Sequence, residues 1–233
     1  PCYEVTRIAQ RAADEGRLPA ADLADLRIAR DLVRLEMLVR FGYYVTESSE
    51  HNAEYAPWFI KEQRPELIDR YNIPLDEYPR RCRRQIADWQ AQRERLLNDP
   101  TMEHSGSCEF GAGIMQAMES DVPYRIAGNV GNQAGLIGNL PRAACVEVPC
   151  LVDRNGVQPC AVGDLPEQCA AMNRTNIGPQ LLTIEAALTG RRDHVYQAAM
   201  LDPHTAAELP IDDIVALCDD LIAAHGDWLP PLR

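Results

Sequence analysis

AACVEVPCLVDRNGV, residues 143–157, carries the sharpest strand signal in the chain. Val146 and Val148 flank Glu147 in the period-two pattern of a strand that buries one face and wets the other. Asn155-Gly156 follows, and that dipeptide accepts the positive φ angles of a tight hairpin turn. Just upstream, PYRIAGNV at 123–130 is again rich in strand formers, and a polar, glycine-rich loop, GNQAGLIGNLP, joins the two.

Outward from these strands the periodic signals are helical. Leu23, Leu26, Ile28, Leu32, Leu35, Met37 and Leu38 recur at helical spacing and predict an amphipathic helix over 21–41, closed by Gly42. Pro57, Pro65 and Pro74 break the next segment into short helices. Residues 75–98 read as a mostly solvated helix, marked only by Tyr78, Ile86, Trp89 and Leu96 or Leu97. Another helix spans 109–118 with Phe110, Ile114 and Met118 on one face. Beyond the hairpin, helices are predicted over 165–173, 181–188 and 195–200. A last one over 213–225 buries Ile214, Leu217, Cys218, Leu221 and Ile222 and stops at Gly226. The fold class is α+β, mostly helical, with a small antiparallel or mixed sheet.

The 233 residues suffice for one large domain or two small ones with a core that needs no disulfide or metal. Twenty-three basic against 35 acidic residues give a net charge of −12, which repels phosphate backbones and anionic lipid. Nucleic acid and membrane are therefore not expected partners, and the basic RRCRRQ at 80–85 reads as a solvated helix face. No apolar run approaches the roughly 18 residues that span a bilayer, and a soluble, cytoplasmic protein is expected. The eight cysteines form no C-x-x-C pair and are expected to be reduced and mostly buried. The chain also lacks G-x-G-x-x-G after a strand, G-x-S-x-G and H-E-x-x-H, so it offers no dinucleotide-binding half, nucleophile elbow or zinc-protease helix.

FGYYVTESSEHNAEYAPWF, residues 41–59, is where chemistry concentrates. Ser, Thr and Glu just past Gly42 are ordinary capping and turn residues. Yet Glu47, Ser48, Ser49, Glu50, His51, Glu54 and Tyr55 also gather hydroxyls, carboxylates and an imidazole between aromatics that exclude water. Such a set suits sugar hydroxyls and proton transfer, because a carboxylate beside a His or Tyr tunes it as acid or base.

RFGYYVTESSEHNAEYAPWF, NVGNQAGLIGNLP, CVEVPCLVDRNGVQP, GDLPEQCAAMNRTN and LTIEAALTGRRDHVYQAAMLDPHTA occur in this order. Together they resemble the C-terminal half of glycoside hydrolase family 4, closest to its α-galactosidase and α-galacturonidase branch. The resemblance implies the C-terminal domain of a lactate-dehydrogenase-like glycosidase, with residues 1–233 as the substrate-side and oligomerisation domain. It implies chemistry outside the two-carboxylate scheme: NAD takes hydride from C3 of an α-galactoside, manganese polarises the ketone, a base removes the C2 proton and the aglycone is eliminated. The nucleotide-binding half and the metal motifs belong to the preceding half of the fold. No metal ligand is assigned here, since Cys2, His104 and Cys108 stand outside those motifs.

By the resemblance, this segment forms the sugar-side wall. The C2 base, Tyr in some branches and Asp in another, falls near Ser48. His51 and Tyr55 are the nearest groups with acid–base character, and Tyr43 or Tyr44 are further candidates. Glu47, Ser49, Tyr44, Asn129 and Asn132 are expected sugar contacts, with Asn139 in the same loop. Alone, the chain is expected to be inactive, its partners being a sugar substrate, an N-terminal nucleotide-binding half and further copies of itself. The alternative is a non-catalytic sugar-binding or assembly domain that needs a separate nucleotide-binding partner.

Overall fold

The computed structural model describes residues 31–99, 101 and 109–233. Along the chain run α1 (Leu32–Phe41), α2 (Ser49–Tyr55), α3 (Glu66–Arg70), α4 (Glu77–Asn98), α5 (Gly111–Ser120), β1 (Tyr124–Gly131), β2 (Cys145–Asp153), β3 (Gly156–Pro159), α6 (Glu167–Thr189), α7 (Arg192–Leu201), α8 (Pro203–Glu208) and α9 (Ile211–His225). The expected α+β class is what is found: helices dominate, and the strands form one antiparallel sheet in the order β1-β2-β3. The first ten residues of the expected 21–41 helix lie outside the described residues.

The chain divides into two compact units. The first holds residues up to Ile73, then 127–148 and 159–233. Its core is built by Val33 and Met37 of α1, Ala53 and Ala56 of the α2 segment, Phe59 and Ile73, with Phe41, Val45, Ile68, Tyr71 and Met172 packed around them. Phe59 and Tyr71 meet edge to face at 5.1 Å, a geometry favoured by the ring quadrupoles. α6 packs along α7, and α7 in turn on α9.

The second unit, residues 74–126 and 149–158, holds α4, α5 and the outer turn of the hairpin. α5 lies close to the sheet because Gly113 has no side chain: a Cβ there would stand 2.6 Å from the Tyr124 ring. Asp121 accepts a hydrogen bond from the Arg154 amide at 3.3 Å and fixes the hairpin end.

β2 keeps the alternation read from 143–157: Val146, Val148, Cys150 and Val152 are buried while Glu147 faces out. Four expectations are corrected. The two helices expected at 165–173 and 181–188 are one, running through Pro179. α8 was not foreseen, although Asp202 caps it at the Thr205 amide and Pro203 occupies its first turn. In α9 only Ile214 and Cys218 are buried, while Leu217 and Leu221 are 40% and 51% exposed, because α7 covers just one side of the helix. On the 109–118 helix Phe110 and Met118 are likewise exposed, and Ala117 is the buried residue. The six described cysteines form no disulfide with one another, and of them only Cys150 and Cys218 are buried.

Candidate functional site

Gly42 ends α1 at φ +84°, its amide donating to Leu38 O at 2.9 Å. A side chain is strained in that backbone region, and the glycine lets the chain turn back at once. The turn is then pinned by one arginine. Arg34 Nε donates to Val45 O at 3.0 Å, and its guanidinium lies 4.1 Å from the Tyr44 ring centroid. The Tyr44 hydroxyl donates to Asp31, which also pairs with Arg34 at 3.4 Å. Charge, ring and backbone thus hold residues 43–46 in one shape.

The serines and histidine follow on α2. Ser48 is its N-cap, accepting the His51 amide at Oγ over 3.2 Å, and its own amide donates to Glu47 Oε1 at 2.7 Å. Ser49 is buried, with Oγ accepting the Arg34 amide at 3.1 Å, so it satisfies one of the free N–H groups in the first turn of α1. His51 Nδ1 bonds Glu54 Oε2 at 2.9 Å, and its ring stacks on Tyr55 with centroids 6.0 Å apart. The hydrogen bond to Glu54 raises the His51 pKa above its ordinary value, with Glu47 and Glu50 adding to the effect. Partial burial raises the Tyr55 hydroxyl, assisted by Glu47 and Glu54. Both shifts favour the protonated forms, imidazolium and phenol, which are proton donors.

Beside this turn the first unit opens a recess of about 530 Å³. Its apolar floor includes Met37, Phe41, Leu140, Val146, Cys169 and Ile177. Its polar groups are Tyr43, Tyr44 and Thr46 from the pinned turn, Glu147 from β2, and Asn173, Asn176 and Gln180 from α6. Among the described residues no Lys, Arg or His lines it. Concave, mostly apolar and edged by a few convergent polar groups, it has the character of a small-ligand site.

Of the residues expected to touch sugar or move protons, Tyr43 and Tyr44 line this recess; Glu47, Ser48, Ser49, His51, Tyr55, Asn129 and Asn132 are not among its walls. Asn132 is 0% exposed, donating through Nδ2 to Ile137 O and Leu140 O at 3.0 and 3.1 Å and accepting the Ile137 amide at 3.0 Å. Its amide closes the glycine-rich loop and leaves no group for a sugar. Asn139 likewise bonds Leu165 through both side-chain atoms, at 2.8 and 3.0 Å. Asn129 is exposed on β1. Arg174 pairs with Glu167 and donates to Asn139 O at 3.0 Å, which ties α6 to the same loop. The residues missed were Asn173, Asn176 and Gln180. Their i, i+3, i+7 spacing makes a polar stripe on one side of α6, a signal present in the sequence.

Residues 5–205 match the Family 4 glycosyl hydrolase C-terminal domain. The chain belongs to glycosyl hydrolase family 4. Within that family it is 59% identical to an α-galactosidase of Bacillus subtilis (strain 168) over 203 residues, covering 87% of this chain and 47% of the relative. An α-galactosidase of Rhizobium meliloti (strain 1021) is 32% identical over 212 residues, 86% and 42% of the two chains. The chain thus spans about half the length of these curated relatives (47% and 42%). In fold it resembles the putative glucosidase lplD of Bacillus subtilis, with a TM-score of 0.71 at 24% identity over 81% of this chain and 42% of that one. It also resembles a 6-phospho-α-glucosidase from gut microorganisms solved with NAD and Mn²⁺, with a TM-score of 0.60 at 19% identity, covering 86% and 44%.

Among the described residues no three His, Cys, Asp or Glu side chains converge on a possible metal position. Cys2, His104 and Cys108 lie outside the described residues. Nor is any described helix long and apolar enough to cross a membrane.

Proposed function

We propose that residues 1–233 form the sugar-binding side of a family 4 α-galactosidase whose redox half lies outside them. The observation that carries the proposal is the recess walled by Tyr44, Thr46, Glu147, Asn176 and Gln180. It is built from four stretches of the chain, and it is the size of a sugar site. Amides and hydroxyls offer donors and acceptors to sugar hydroxyls, and the apolar floor suits the C–H face of the ring. The 59% identity to an α-galactosidase supports a galactoside as the substrate.

NAD and manganese, named with solved relatives, are the proposed cofactors of the assembled enzyme. They would supply the hydride acceptor and the Lewis acid for oxidation at C3, deprotonation at C2 and elimination. The described residues offer no ligand set for the metal, so this chain's share is to bind and orient the sugar and to handle a proton. For the proton Tyr43 is the proposed group, because it lines the recess, whereas His51 and Tyr55 do not and the Ser48 hydroxyl is taken up as a helix cap. Copies of the chain are proposed to associate, and the free thiols suit a reducing, cytoplasmic compartment.

Titrating methyl α-galactoside into the purified chain, followed by ligand-observed NMR, tests the reading. Saturable binding without turnover is expected. Asn176→Leu with Gln180→Leu should weaken it about tenfold or more, from two lost hydrogen bonds. Absence of binding, or binding indifferent to both substitutions, overturns it. Turnover of nitrophenyl α-galactoside by this chain alone would show that no second half is needed.

A further inference from the structure

Arg34 is not among the walls of the recess, yet it holds one of them. Residues 42–48 lie in neither helix nor strand, so no backbone ladder fixes them and side chains must. Arg34 reaches them from α1, the helix whose Met37 and Phe41 belong to the recess floor. Its Nε donates to Val45 O at 3.0 Å, and its guanidinium carbon lies 4.1 Å from the Tyr44 ring centroid. Asp31, paired with Arg34 at 3.4 Å, accepts the Tyr44 hydroxyl and closes the circuit. The Arg34 amide donates to the buried Ser49 Oγ at 3.1 Å, so the start of α2 hangs on the same residue. Tyr43, Tyr44, Val45 and Thr46 all line the recess, and one half-buried side chain ties that wall to the floor.

We infer that Arg34 is a positioning residue for sugar binding, acting through Tyr44 and its turn without touching the sugar. The inference rests on the reading of the recess as a sugar site. An arginine is required by the geometry. A guanidinium donates from Nε and lies against an aromatic ring at once, whereas a lysine ammonium keeps the charge as a hydrated point and loses the fork. A wall ordered in advance spares the ligand the cost of ordering it, and a loosened one weakens binding with every contact group still present.

Ligand-observed NMR with methyl α-galactoside on the full chain tests the inference, with circular dichroism as the folding control. Arg34→Lys should weaken binding about three- to tenfold, the effect of one or two side chains left to be ordered on binding. Tyr44→Phe, which keeps the ring beside the guanidinium, should lose less than Tyr44→Leu. Combining Arg34→Lys with Tyr44→Leu should cost clearly less than the product of the two single losses, because both act on one wall. A purely structural arginine would alter stability and leave the affinity of the folded chain unchanged. The Arg34 side-chain protons should also be shifted upfield by the Tyr44 ring, in the unaltered chain and in Tyr44→Phe, and return to ordinary positions in Tyr44→Leu. Folded Arg34→Lys that binds like the unaltered chain overturns the inference, as do single losses that multiply. If Arg34→Lys does not fold, the proton signals decide, and unshifted ones overturn it. An unaltered chain that binds no sugar defeats the reading of the recess and this inference with it, whereas intact binding indifferent to Arg34→Lys defeats the inference alone.

Discussion

His51 and Glu54 sit one turn apart on α2, and their hydrogen bond sets the ionisation of the imidazole. The folded pKa lies above the ordinary value of 6.5. The pair therefore adds stability that is fully present below the unfolded pKa and is lost as pH rises through the folded one. Both side chains are about half exposed, so the contribution is small, about 0.2–1 kcal/mol. An NMR titration should show His51 titrating above 6.5 in the folded chain, and Glu54→Gln should lower that midpoint. A His51 midpoint unmoved by the substitution would show that Glu54 does not set the ionisation of the imidazole. Asn132 presents the opposite case, a side chain shut off from solvent with both N–H donors and its carbonyl oxygen engaged by the backbone. Asn132→Ala should cost about 1–3 kcal/mol, since it strands buried backbone groups of the 137–141 loop, and thermal denaturation reads the loss directly. Sequence reading placed this residue in a loop facing sugar. Nothing in the local sequence says whether an amide in a glycine-rich loop points outward or closes the turn behind it.

α6 shows what tertiary packing does to a local signal. Proline at position 179 removes one N–H and crowds the preceding turn, which is why separate helices were expected on its two sides. The helix continues because its length packs against α7, and burial along that face outweighs one lost hydrogen bond. Pro179→Ala should accordingly raise stability by about 1–3 kcal/mol, with a matching rise in melting temperature. A fall would mean that the proline shapes the Asn176–Gln180 wall. β2 was legible because its period-two burial is a property of the strand itself: alternate residues must face opposite sides. α8 was short enough to hide, though Asp202-Pro203 carries both its cap and its first turn. The burial of Leu217 and Leu221 could not be read from α9, since an apolar residue on a helix faces either a neighbour or water, and the neighbour is chosen elsewhere in the chain.

The recess belongs to the molecule as a whole, since its walls come from α1 and its turn, the glycine-rich loop, β2 and α6. Among the described residues its lining carries one carboxylate, Glu147, and no cation. Galactose 6-phosphate should therefore bind at least tenfold more weakly than galactose, about 1.4 kcal/mol, in a competition measured by ligand-observed NMR. Equal binding would place the sugar elsewhere. Read alone, the sequence determined the fold class, the β2 alternation, the Gly42 turn and, through five ordered motifs, the glycosidase family. Each of these is local or recurs as a fixed string, so neighbouring residues suffice to specify it. Only the tertiary structure decided that Asn132 faces inward, that Asn173, Asn176 and Gln180 share a wall with Tyr44, and that α4 and α9 keep apolar faces in water. Those facts depend on which distant segments meet, and a residue's chemistry does not record what will be packed against it.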